Sequence, residues 1–250
     1  MHRIAVSVCG YLLMVSAAGL AAPIKTQDIT LPSGSETLAG YLALPESGGK
    51  HPAVVVIHEW WGLNDWIKEQ TRKLAENGYV ALAVDLYRGQ VAYDPSLAHE
   101  LMRGMPEDRA VRDLKAAFDY LAAREDVNKE KIGSLGWCMG GGFSLLLAVN
   151  EPRLAACVVN YGAMPTDAAA IQQIQAPVLG NFGADDRGIP PSAVEAFESA
   201  MKTAHKSIDL KVYPGAGHAF ENPTNKLGYR EAAAADAWAR TLTFLDHNLK

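Results

Sequence analysis

Five apolar runs, each separated from the next by a stretch of helical spacing, leave this chain few folds to choose from. Pro52–Ile57 reads PAVVVI, a continuous β-branched run, and Tyr79–Asp85, Lys131–Trp137, Leu154–Tyr161 and Ala176–Phe182 read as further strands. A run that does not alternate apolar with polar residues suits a strand covered on both faces. The segments between them have the other periodicity. Asp65–Asn77 reads as a helix closed by Gly78. Pro106–Arg124 places Val111, Leu114, Phe118 and Leu121 on one face, and Gly140–Val149 and Pro191–Thr203 are two further helices. Ser207–Tyr213 reads as a strand, and a last helix over Leu227–His247 aligns Trp238, Leu242 and Leu245 with the following Leu249. Thr37–Leu44 alternates and is expected as an outer strand. Strands alternating with helices define the α/β class, with a mostly parallel central sheet and helices on both faces. No linker or repeat divides the chain, so residues 22–250 are expected to form one domain. The long loop Arg88–Met105 is expected to cover the functional site.

The first 21 residues stand apart. Met1–Arg3 are positively charged, Ile4–Leu20 are apolar, and Gly19-Leu20-Ala21 is a small-x-small site. Together they read as a secretory signal peptide cleaved near Ala21, which places the protein in the periplasm or outside the cell. A retained anchor is the competing reading, but the run is short for a spanning helix, so no stable membrane insertion is expected after cleavage. A formal net charge of -5 with no run of Lys or Arg argues against nucleic acid as a partner. Cys9 leaves with the leader, so Cys138 and Cys157 remain. A disulfide between them is disfavoured, because a sharp turn beside a core strand seldom offers the required geometry.

The chemistry centres on Gly136-Trp137-Cys138-Met139-Gly140, between a buried strand and a helix. This is the setting of a nucleophile elbow, with Cys in place of Ser. Its glycines admit a tight turn, and the helix N-terminus favours a thiolate. The alternative is a buried structural cysteine on a Gly-rich turn. An elbow enzyme also needs an acid and then a histidine, in that order along the chain. Asp185 and Asp186 both follow the strand ending at Phe182, and His218 follows the strand ending at Tyr213. All three side chains could then meet at the carboxyl edge of the sheet, where open α/β sheets bind ligands. His218 would take the thiol proton, and the aspartate would fix its tautomer. After Ile57 comes His58-Glu59-Trp60-Trp61-Gly62. The backbone N–H groups of Trp60 and Met139 are the expected oxyanion donors. Glu59 is either a surface residue at a strand end or part of the site. Ser134 and Ser144 lie off the elbow, which disfavours a serine nucleophile. His58-Glu59 starts like a zinc motif but no second His follows at helical spacing, so neither metal nor cofactor is implied.

At HEWWG (58–62), DLY (85–87), GWCMGG (136–141), GADDRGIP (183–190) and GAGHAF (215–220) the chain resembles the dienelactone hydrolase family of α/β-hydrolases. The resemblance implies a triad of Cys138, Asp186 and His218. It chooses Asp186 over Asp185 because the family's acid stands before x-x-[IV]-P. It also implies that Glu59 contacts the resting thiol and helps deprotonate it when substrate binds. Arg88, Trp61 and Tyr87 are the substrate-binding candidates. Two departures bear on the substrate. Dienelactone-opening enzymes hold its carboxylate with two arginines, and the matching places here are Gly89 and Asn222. Glu221 beside Asn222 would repel a carboxylate. The expected function is hydrolysis of an ester, lactone or other activated acyl substrate through a covalent acyl-enzyme. The expected partner is that small-molecule substrate, and the expected state is a monomer or small homo-oligomer. A non-catalytic binding or stress protein on the same fold is the alternative.

Overall fold

The computed structural model describes residues 23–250, so the signal peptide expected over residues 1–21 lies outside the described residues. The strands are β1 (Ile24–Ser33), β2 (Glu36–Pro45), β3 (His51–Ile57), β4 (Val80–Val84), β5 (Val127–Trp137), β6 (Ala156–Asn160), β7 (Val178–Gly183) and β8 (Ile208–Tyr213). The helices are α1 (Asp65–Glu76), α2 (Pro95–Arg103), α3 (Glu107–Ala122), α4 (Met139–Asn150), α5 (Ala168–Gln173), α6 (Pro191–Thr203) and α7 (Glu231–Leu249). The eight strands form one sheet in the order β1-β2-β4-β3-β5-β6-β7-β8. From β4 to β8 every pair is parallel, while β1–β2 and β2–β4 are antiparallel.

The apolar runs are continuous because both faces of the sheet are covered. In β3, Ala53, Val55 and Ile57 join the core formed with Leu114 and Phe118 of α3, Leu145 of α4 and Phe197 of α6. Val54 and Val56 point the other way, into the core formed with Ile67 and Leu74 of α1 and Leu245 and Leu249 of α7. Every residue from Ala53 to Ile57 is fully buried. Fully burying a side chain of this size contributes roughly 1.5–3 kcal/mol, so this strand alone anchors both layers.

Three expectations need correction, and one short helix was not anticipated. Thr37–Leu44 lies in β2 and is not the outer strand: β1 pairs with β2 along its length and takes the edge. Of β1 only Leu31 and Ser33 are buried, so its sequence carries little apolar signal. The loop Arg88–Met105 holds α2, which Pro95 opens and Asp94 caps by accepting from Ser96 N at 2.8 Å and Leu97 N at 3.0 Å. The short helix α5, capped by Asp167, has no apolar periodicity to reveal it. The last helix starts at Glu231, because residues before it run through turns that Arg230 N closes onto Phe220 O at 3.0 Å.

The elbow joins two elements at close quarters. A Cβ on Gly140 would sit 2.3 Å from Ile57 O, and one on Gly136 would sit 1.9 Å from Gly140 O. Neither gap admits a methyl group, so α4 starts directly against the end of β3. Cys138 between them adopts φ 55° and ψ −119°, a region that costs a non-glycine residue roughly 1–3 kcal/mol. We expect Gly140→Ala to force β3 and α4 apart and lower the unfolding free energy by about 1–3 kcal/mol or more, read from denaturant titration.

Candidate active site

Three strand ends bring the sequence-predicted residues together. Cys138 follows β5 and sits immediately before α4, and its N–H donates to Asn160 O at the end of β6 (3.0 Å). Asp186 follows β7. Its Oδ1 accepts from Gly188 N at 2.9 Å and Ile189 N at 3.1 Å, and its Oδ2 lies 2.7 Å from His218 Nδ1. Asp186 is buried, whereas Asp185 is exposed. Burial opposes ionisation of Asp186, but the bond to His218 and the two loop N–H groups outweigh it and hold the carboxyl below its ordinary value. For His218, partial burial disfavours charge. The Asp186 carboxylate and the Cys138 sulfur outweigh that and raise its pKa to about 10, so the site favours the imidazolium form at neutral pH.

The loop after β3 is fixed from within. His58 is fully buried, its Nδ1 lies 2.5 Å from Glu59 O, and its Nε2 accepts from Leu86 N at 3.3 Å. Burial holds its pKa below the ordinary value, so it stays neutral and acts as a clamp between the β3 and β4 loops. The N–H groups of Trp60 and Met139 make no hydrogen bond to any other described residue.

Two buried carboxyl groups lie under this layer. Glu59 accepts from Asn222 Nδ2 at 2.7 Å and from the Tyr161 hydroxyl at 3.4 Å, and none of its hydrogen bonds reaches Cys138. Burial raises its pKa to about 7 against the pull of Asn222, His218 and Tyr161. Glu221 accepts from Trp137 Nε1 at 3.0 Å, and burial, with Glu59 adding, raises its pKa to about 8. The expectation that Glu221 repels substrate is thus corrected, because it is buried beside Trp137, away from the clefts, and mostly neutral at pH 7. Tyr161 and Asn222 went unread as contributors in the sequence. Tyr161 has φ 39° and packs edge-on to His218 with ring centroids 5.3 Å apart. A Tyr ending an apolar run signals only core, and Asn222 stood out only as a missing arginine.

Arg88 requires the plainest correction. Its guanidinium bonds Glu36 Oε2 at 2.8 Å and Asp113 Oδ2 at 2.8 Å, and Asp113 is wholly buried. Arg88 is therefore a structural partner at the β1–β2 end of the sheet and lines no cleft at Cys138. Tyr87 packs edge-on to His58 (4.8 Å) and donates to Met139 Sδ at 3.2 Å, so it shapes the floor below the thiol. Trp61 and Trp60 line a cleft of about 640 Å³ with Cys138 and His218. The His99 ring of α2 packs edge-on to Trp60 at 4.9 Å. Among the described residues no three His, Cys, Asp or Glu side chains converge as metal ligands would. Cys157 is fully buried, 3.3 Å from Ser144 Oγ, and burial pushes its thiol up to about 11; it and Cys138 are both free.

A nearly parallel sheet with a strained residue between β5 and a Gly-rich helix defines an α/β-hydrolase. Residues 38–249 match the dienelactone hydrolase family, and the chain belongs to that family of ester and lactone hydrolases. A Salmonella typhimurium relative described as "Putative carboxymethylenebutenolidase" is 34% identical over 85% of this chain and 84% of its own. A Klebsiella pneumoniae structure described as "Putative Dienelactone Hydrolase" is 31% identical, with a TM-score of 0.83 over 90% of this chain and 99% of that one. A metagenomic "Dienelactone Hydrolase-like Promiscuous" phosphotriesterase is 26% identical, with a TM-score of 0.84 over 91% and 99%.

The raised carboxyl groups tie stability to pH. A carboxyl whose folded pKa exceeds its unfolded value leaves the protein most stable below pH ~4.5, and that stability is lost as pH rises through the folded pKa. For Glu221 the loss spans roughly pH 4.5 to 8. We expect Glu221→Gln, which keeps an acceptor for Trp137, to raise the unfolding midpoint at pH 8.5 by several degrees, at about 2–4 °C per kcal/mol. At pH 4.5 the two proteins should melt together in a calorimetric pH series.

Proposed function

We propose that this chain is a thiol hydrolase working through Cys138, His218 and Asp186 on esters or lactones. The observation that carries the reading is the 2.7 Å bond between His218 Nδ1 and Asp186 Oδ2, with His218 and Cys138 facing one cleft. Nδ1 is occupied by Asp186, so Nε2 is the nitrogen that exchanges protons with the sulfur and the substrate. The thiolate adds to the carbonyl carbon, and the Trp60 and Met139 N–H groups hold the developing oxyanion. The C–O bond to the alcohol breaks, His218 returns the proton to that oxygen, and a thioester remains on Cys138. Water then gives a proton to His218 and its oxygen to the acyl carbon. The C–S bond breaks, and the acid and the free thiol are restored.

The raised pKa of His218 supports this scheme, because an imidazolium held by Asp186 beside Cys138 is ready to give its proton to the departing oxygen. Glu59 belongs to the electrostatic floor under His218. Its bonds to Asn222 and Tyr161 support that place over the thiol contact implied by resemblance. The leader read over residues 1–21 supports action outside the cytoplasm.

Hydrolysis of p-nitrophenyl acetate tests the reading. Cys138→Ala is expected to lower kcat/KM by a factor on the order of 10⁴, and Asp186→Asn by roughly 10²–10⁴. Wild-type turnover that survives Cys138→Ala would remove the thiol from the mechanism. An inactive wild type with an alkylation-insensitive Cys138 would favour a binding protein on this fold.

A further inference from the structure

Two clefts meet at Cys138, and His218 lines only one of them. The cleft that contains His218 is walled by Trp61, Ala219 and Leu227 and continues past Asn222 to Lys226. A second cleft, of about 710 Å³, shares only Trp60 and Cys138 with the first and runs along α4. Its walls include Met102, Met139, Phe143, Leu146 and Met164, and His218 takes no part in it. Its volume falls within the range of small-molecule sites, roughly 300–1,000 Å³.

Proton transfer decides which part of a substrate enters which cleft. When the C–O bond breaks, the departing oxygen must lie within reach of His218 Nε2. The alcohol part of an ester therefore occupies the cleft lined by His218, and the acyl part extends from the carbonyl in the other direction. Resting on the thiol-hydrolase reading above, we propose that the α4 groove is the acyl pocket and that it takes an extended, uncharged apolar acyl group. The groove has no Lys or Arg lining it, and its one carboxylate is the exposed Glu107, which repels an acidic substrate. Three of its walls are methionine side chains, which adapt to chains of different length. Met102 comes from α2, so the segment between β4 and α3 sets part of the selectivity. The reaction is the one already written, with the fatty or aryl-alkyl acid as the released product and the proton given to the alcohol in the cleft lined by His218.

A series of p-nitrophenyl esters from acetate to octanoate tests the assignment on the purified protein. Each methylene buried in such a groove is worth roughly fourfold in binding. The wild type should therefore prefer hexanoate to acetate by at least about tenfold in kcat/KM. Met164→Trp fills the groove from its loop, and Leu146→Arg places a charge on its helical wall. Each should cut the hexanoate-to-acetate ratio at least about tenfold, with circular dichroism confirming that the fold is retained. The ratio is internal to each protein, so a general loss of activity does not move it. A flat chain-length series with acetate turned over, or an unchanged ratio in both folded variants, overturns the acyl-pocket assignment alone. No turnover of any ester, acetate included, overturns the thiol-hydrolase reading and this assignment with it.

Discussion

The contact between the Gly140 backbone and the carbonyls of Ile57 and His58 is the constraint on which the site rests. With a Cβ on Gly140 the first turn of α4 would collide with the end of β3. Because nothing intervenes, the Met139 N–H at the start of α4 and the Trp60 N–H in the loop after β3 are held by one rigid junction. Cys138 is caught between them at φ 55°. That strain persists because β5 and α4 are each packed into buried cores on either side of it. Placement of the sulfur beside these two N–H groups thus rests on backbone contact, with the buried His58 side chain clamping the loop after β3.

Under that junction lies a floor of buried acids that ordinary packing would avoid. Glu59 and Glu221 are both enclosed, and each keeps hydrogen-bond partners: Asn222 and Tyr161 for one, Trp137 for the other. No arginine neutralises them. Their shared penalty is relieved by holding protons, and the raised pKa values of about 7 and about 8 express this. A floor that is partly neutral at pH 7 attracts an imidazolium above it less strongly than two full charges would. The direction of the His218 shift is set mainly by Asp186 and Cys138 instead.

Arg88 has been taken for structure. Arg88 joins Glu36 and the buried Asp113, with Arg112 bonded to the same Glu36, and together they lock the β1–β2 turn onto α3. A buried carboxylate left without its guanidinium would be costly, so this arginine is not free to bind substrate. The surroundings of Cys138 are split between a cleft that holds His218, Trp61, Asn222 and Lys226 and a groove of methionine, leucine and phenylalanine.

Sequence alone determined the layers and the chain positions of the chemistry. Continuous β-branched runs require burial on both faces, and glycines around Cys138 require a tight strand-to-helix turn. The order of cysteine, acid and histidine then follows the strand ends. The edge strand β1 and the helix α5 were not legible, because exposed elements carry little apolar periodicity. Whether Arg88 faces the substrate or the scaffold could not be read either, since a side chain that long can reach in several directions from one backbone position. Tertiary structure decided this by bringing Asp113 of α3 within 2.8 Å. It likewise chose the exposed role for Asp185 and the buried one for Asp186, and enclosed Glu221 beside Trp137. Local patterning dictates which residues are buried and where the chain turns. Which charges meet depends on contacts between residues far apart in sequence, and only the packed fold supplies those.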